Sequence, residues 1–86
     1  MELTELDRAI LDVELTWWTE TGPKEALIRA RTGLSATRYY QRLSELIDRP
    51  EAMEHDPLLV RRLRRGRDQR RRARFEGRTA GERRSR

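Results

Sequence analysis

The stretch PKEALIRARTGLSATRYYQRLSELI, residues 23–47, decides how this chain folds. Pro23 suits the start of a helix, because the N–H it lacks has no partner in a first turn anyway. Leu27, Ile28 and Ala30 supply the apolar side of a short helix from Pro23 to about Thr32. With so few apolar residues it must lean on a neighbour. Gly33 ends it, since glycine enters the left-handed backbone region without steric penalty, and Ser35 is placed to cap the next helix. That helix, about Ala36 to Ile47, turns Tyr39, Leu43, Leu46 and Ile47 inward, and Thr37, Arg38, Gln41, Arg42 and Ser44 largely outward. Two helices joined by a glycine turn, the second with a hydrogen-bonding outer face, predict a helix-turn-helix. A purely structural helical hairpin would give the same spacing.

Upstream, Thr4 caps a helix that begins at Glu5, and Asp7 favours its positive N-terminal end. Leu6, Ile10, Val13 and Trp17 recur at helical spacing, with Leu11, Leu15 and Trp18 in a second stripe, so a wide buried face is expected. Trp17 and Tyr39 are expected in the core. Trp18 and Tyr40 are candidate half-exposed anchors for another protein. Thr21 and Gly22 interrupt the pattern. Downstream, Asp48 and Pro50 begin one short helical turn; Asp56 and Pro57 begin a last helix, whose Leu58, Leu59, Val60 and Leu63 dock on the core. Past Leu63 the apolar stripe vanishes and arginine takes every face from Arg64 to Arg74, predicting a solvated helix or one ordered by a partner. From Gly77 onward disorder is expected. No internal repeat or convincing strand pattern is present. The expected fold is all-α: a helix-turn-helix-like helical domain over residues 1–63, then an arginine-rich helix and tail over residues 64–86.

Charge divides the chain at the same place. Residues 1–60 hold seven basic and twelve acidic side chains; residues 61–86 hold thirteen arginines against Asp68, Glu76 and Glu82. Such a basic block recruits polyanions, and guanidinium forks bind phosphate bidentately and stack on bases as lysine does not. A solvated tail, rich in arginine through genomic base composition, is the alternative. The acidic first half would repel nucleic acid unless its charges are locally segregated or the tail supplies the attraction.

Other classes find little support. The chain has no cysteine, which excludes disulfides and thiolate metal sites and agrees with a cytoplasmic setting. No apolar run approaches a membrane span, and the acidic start does not resemble a signal peptide. The lone histidine, His55, lies between Glu54 and Asp56 with no second ligand or triad partner, and isolated glycines make no phosphate loop. Neither catalysis, a metal nor a cofactor is expected.

At Trp17-Trp18, Gly33-Leu34-Ser35-Ala36-Thr37-Arg38-Tyr39-Tyr40, Leu46-Ile47-Asp48-Arg49-Pro50 and Asp56-Pro57, the chain resembles a small actinobacterial family of unknown function, over roughly residues 3 to 65. More broadly, the Leu3-Thr4 start and the Gly33-Leu34-Ser35 turn resemble the DNA-binding domains of response regulators and the promoter-reading domain of sigma factors. That resemblance implies base- or phosphate-facing roles for Ser35, Thr37, Tyr40, Gln41 and Ser44. Arg29 departs from it, standing where those domains usually carry alanine.

The residues themselves support similar roles. Gln41 can pair bidentately with adenine, and Arg38 and Arg42 can reach phosphate or guanine. Arg61, Arg62, Arg64, Arg65, Arg67, Arg70, Arg71, Arg72 and Arg74 are the candidate backbone contacts. The expectation is a DNA-binding regulator or accessory factor with the third helix as recognition helix. An adaptor docking its acidic domain on RNA polymerase or a sigma factor, and an RNA or ribosome binder, are the alternatives. Oligomeric state is left open.

Overall fold

The structure is a computed structural model that describes residues 2–84, with side chains described for residues 2–74. The disorder expected from Gly77 onward falls outside the residues whose side chains are described. The elements are α1 (Glu5–Thr16), a 3-10 turn (Trp17–Thr19), α2 (Lys24–Thr32), α3 (Ala36–Leu46), α4 (Pro50–His55) and α5 (Pro57–Arg84), so the fold is all-α, with no strand among the described residues. None of these helices is long and apolar enough to cross a membrane.

The punctuation follows from local chemistry. Thr4 and Asp7 form a reciprocal capping box at α1: the Asp7 N–H donates to Thr4 Oγ1 at 3.0 Å, and the Thr4 N–H to Asp7 Oδ2 at 3.1 Å. Pro23 occupies the cap position of α2 rather than its first turn. Gly33 takes φ +73° to end α2, and Ser35 Oγ accepts the Arg38 N–H at the start of α3. Asp56 Oδ1 accepts the Leu59 N–H where α5 begins.

Helices α1, α2 and α3 pack on one another, and α4 packs on α5. Ile10, Leu11 and Val13 of α1, Ile28 of α2, Tyr39, Leu43 and Leu46 of α3, and Leu59 and Val60 of α5 form one buried core. Leu6 and Leu63 pack at its edge. Arg29, the departure from the helix-turn-helix pattern, points outward and does not keep α2 from packing on α3.

Trp17 departs from the expected burial, remaining 40% exposed, while Trp18, a candidate half-exposed anchor, is 66% exposed. The backbone leaves α-helical geometry at Thr16 (φ −120°, ψ −9°), so Trp17 no longer continues the stripe of Leu6, Ile10 and Val13. Leu15 is also exposed. At the far end Leu58 is 78% exposed, because Leu59, Val60 and Leu63 already take the side of α5 that meets the core. Among the described residues the core thus rests on aliphatic side chains and one ring, Tyr39, without the Trp17 ring expected beside it.

Two carboxylates are buried instead. Asp7, beyond its cap role, meets Arg42 at 3.3 Å and Arg49 at 3.2 Å, tying the start of α1 to α3 and to the α3–α4 joint. Burial pushes the Asp7 carboxyl upward, but the Thr4 hydrogen bonds and the Arg42 charge outweigh it, and the net direction is below the usual carboxylate range. A carboxylate depressed by folding contributes stability that is full above the unfolded pKa of about 3.9 and is lost as pH falls through the folded value. Asp7→Asn is expected to destabilise the fold by about 2 kcal/mol at neutral pH. That difference from wild type should shrink in melts taken progressively below about pH 4. A gap constant across this range would mean that the Asp7 charge contributes nothing.

Candidate nucleic-acid interface

The structure sorts the outward side chains of α3 into committed and open ones. Thr37, Arg38 and Gln41 are exposed along one side, at the spacing of three and four that aligns residues on a helix. Ser35 is engaged as a helix cap. Arg42 is exposed yet spends its guanidinium on Asp7. Ser44 is half-buried and Tyr40 half-exposed, both turned toward α5, where they line a common groove.

Helix α5 runs unbroken through Leu63, and its arginines also divide. Arg64 Nε donates to the Ile47 carbonyl, and Arg67 donates to the Ser44 carbonyl at 3.0 Å. These are acceptors at the end of α3, left unpaired within that helix. Arg67 also grips Asp48 with both terminal nitrogens, at 2.8 and 3.0 Å. The Arg67 hydrogen bonds hold the Asp48 carboxyl below its usual value. Arg64 and Arg67 therefore fasten α5 to the end of α3, whereas Arg61, Arg62, Arg65, Arg70, Arg71, Arg72 and Arg74 present exposed guanidinium groups.

The exposed arginines take two sides. Arg62, Arg70 and Arg74 stand at multiples of four, and with Arg71 they form one wall of a groove of about 590 Å³ whose other wall is Tyr40, Ser44 and Lys24. Arg61, Arg65 and Arg72 border a shallower hollow on another side, with Gln69 and Asp68. Among the described residues, the only carboxylate lining this groove is Glu14. It is buried and already neutralised: Lys24 Nζ lies 3.0 Å from Glu14 Oε2, and the Tyr39 hydroxyl donates to Glu14 Oε2. Burial, with the Glu14 carboxylate behind it, raises the Tyr39 phenol well above its ordinary pKa, so the hydroxyl remains a donor. Acidic side chains collect elsewhere, Glu2, Glu51 and Glu54 lining one hollow by the start of α1 and α4. His55 is exposed beside them. Three carboxylates of the net-acidic first half thus collect in that hollow, and Asp48 is taken up by Arg67.

Lys24 was not among the residues picked out by sequence. Its ammonium lies 4.9 Å from the Trp17 ring centroid and 5.2 Å from that of Tyr40, beside Glu14. The ammonium is thus held by two rings and a buried carboxylate. The signal was present in composition: Lys24 is the single lysine of a chain with nineteen arginines.

A family model matches residues 2–75, from the capping box of α1 through the arginines that wall the groove. The chain belongs to the family described as protein of unknown function (DUF3263). The DUF3263 match thus spans both the helical body and the described arginines of α5 in one unit. No curated protein and no solved structure matches the chain.

Proposed function

We propose that this DUF3263 protein is a cytoplasmic, non-catalytic nucleic-acid-binding factor, with DNA as its principal partner and a role in transcription regulation. In this reading the α2–α3 pair serves as a helix-turn-helix. Thr37, Arg38 and Gln41 approach base edges, while the exposed arginines of α5 hold the phosphate backbone. The observation that carries it is the segregation of charge. Among the described residues, Arg62, Arg70 and Arg74 have no hydrogen-bond or ion-pair partner and line a groove beside α3, and the one carboxylate lining it, Glu14, is buried and paired with Lys24. Arg64 and Arg67 act as fasteners, and Arg42 holds Asp7, so these three are withdrawn from the phosphate contacts.

Selection from random duplexes followed by titration tests the reading. A preferred sequence is expected, and Gln41→Ala is expected to weaken binding to it by about 1 to 3 kcal/mol while leaving affinity for unrelated duplexes unchanged. Equal loss on all sequences, or no preferred sequence, would remove α3 from base readout.

A second reading, an adaptor docking on RNA polymerase or a sigma factor, is favoured by the exposure of Leu15, Trp18 and Leu58. Co-purification with polymerase that survives nuclease treatment and is lost in Trp18→Ala would support it over the first.

A further inference from the structure

The groove between α3 and α5 has a feature that a duplex clamp does not require. At one end, exposed aromatic rings stand beside the cations: Tyr40 lines the groove, and Trp17 is joined to it through the Lys24 ammonium, which lies close to both rings. Tyr40 is braced further by Tyr39, edge-on with centroids 5.1 Å apart. Both Tyr40 and Trp17 keep more than a third of their surface open to solvent. Burying either ring fully would have strengthened a small core, yet the fold leaves Tyr40 on the wall of the basic groove and Trp17 beside it across Lys24. Along the channel Arg62, Arg70 and Arg74 have no hydrogen-bond or ion-pair partner among the described residues.

A positive groove that tracks phosphates, ending on aromatic faces, is the combination by which proteins hold unpaired nucleotides. In a duplex the bases are stacked on one another and offer rings only their edges, so half-exposed aromatic faces gain little there. We propose that the α3–α5 groove seats a short single strand of nucleic acid, its phosphates on Arg62, Arg70 and Arg74 and an unpaired base stacked on the exposed part of the Tyr40 ring, with Trp17 nearby across Lys24. The inference rests on the nucleic-acid reading above and adds to it the state of the ligand: a melted or unpaired segment adjoining whatever α3 contacts.

The test uses the full chain with oligothymidylate, oligouridylate and a mixed-sequence duplex, each of about ten nucleotides per strand, a length within the site sizes of single-strand binders. Anisotropy titrations at several salt concentrations are read with tryptophan fluorescence. Tyr40→Ala is expected to weaken single-strand binding roughly 5- to 150-fold with the salt slope unchanged, and Tyr40→Phe to retain most of it. The double variant Arg70→Ala, Arg74→Ala is expected to lower the slope of log K against log salt by about 1.4 on a single strand. In Trp18→Phe, where Trp17 is the only indole, fluorescence should be quenched by the oligonucleotides. Because the Tyr40 ring is half outside the core, thermal melts of Tyr40→Ala close to wild type are expected and separate lost binding from lost fold. Tighter binding of thymidylate or of uridylate identifies DNA or RNA as the source of the strand, and either supports the inference. Duplex binding with no single-strand binding, or single-strand binding indifferent to Tyr40→Ala, overturns it and leaves the nucleic-acid reading standing. Binding of none of the three probes overturns both.

Discussion

Ending the chain after Gln69 is expected to preserve the helical body and abolish most nucleic-acid affinity. The cut keeps Arg64 and Arg67, which hold the end of α3, and removes the groove arginines Arg70, Arg71 and Arg74 together with Arg72 and the four arginines beyond. What remains is close to neutral or acidic, and polyanion attraction falls accordingly. On duplex DNA each neutralised phosphate contributes about 0.9 to the slope of log K against log salt. If about five arginines engage phosphate, the intact chain weakens by roughly two to three orders of magnitude between about 50 and 200 mM salt. The shortened chain should show a much flatter line. Equal affinity and slope in the two chains would show that these arginines do not meet nucleic acid. A cut after Leu63 is a different experiment, since it also uncaps α3 and should lower the melting temperature.

The second large effect lies in the core. Tyr39→Ala is expected to cost about 3 to 5 kcal/mol, a large part of what a domain this small has available. It deletes the one fully buried ring and leaves Glu14 without its hydroxyl donor. Trp17→Ala, at a site that is half open, is expected to cost about 1 kcal/mol. Parallel thermal melts decide the matter, and equal losses would mean that Trp17 is packed as tightly as Tyr39.

That contrast shows where the sequence was legible. The cap at Thr4, the left-handed Gly33, the cap at Ser35 and the breaks at Pro50 and Pro57 are short-range signals, each set by one residue's backbone or side-chain chemistry, and all stand where the sequence puts them. The inward set of α3 was equally readable, because period and helix length agree there. Trp17 was misread because its spacing fitted a helix that had already ended: a one-residue change in backbone geometry redirects a side chain without altering the pattern of letters. Leu58 was misread because a run of three apolar residues does not say which of them a helix turns away. The site was legible in kind more than in membership. The surplus of arginine was plain, but which guanidinium groups would be absorbed by carbonyls at the end of α3, or by Asp7, depends on contacts between residues seventeen to forty-two apart. Lys24 stands out in composition as the single lysine, but its role is set by Trp17 of the 3-10 turn, Tyr40 of α3 and Glu14 of α1.

If α5 binds phosphate as proposed, the grip of Arg67 on Asp48 makes that carboxylate an internal competitor for it. A polyanion offers the guanidinium fork the same planar pair of oxygens that Asp48 does, so a ligand crowding α5 and the side chain of Asp48 contend for one cation. When Arg67 stays on Asp48, the carbonyl of Ser44 remains satisfied and α5 keeps its direction; when a phosphate draws it away, the last turn of α3 loses an acceptor's partner and frays. Occupancy of the arginine helix and order at the tail of α3 are thereby linked in both directions. Amide hydrogen exchange around Leu46 and Ile47 would register such a ligand, and removing the Asp48 carboxylate would loosen the joint while freeing one more cation for it.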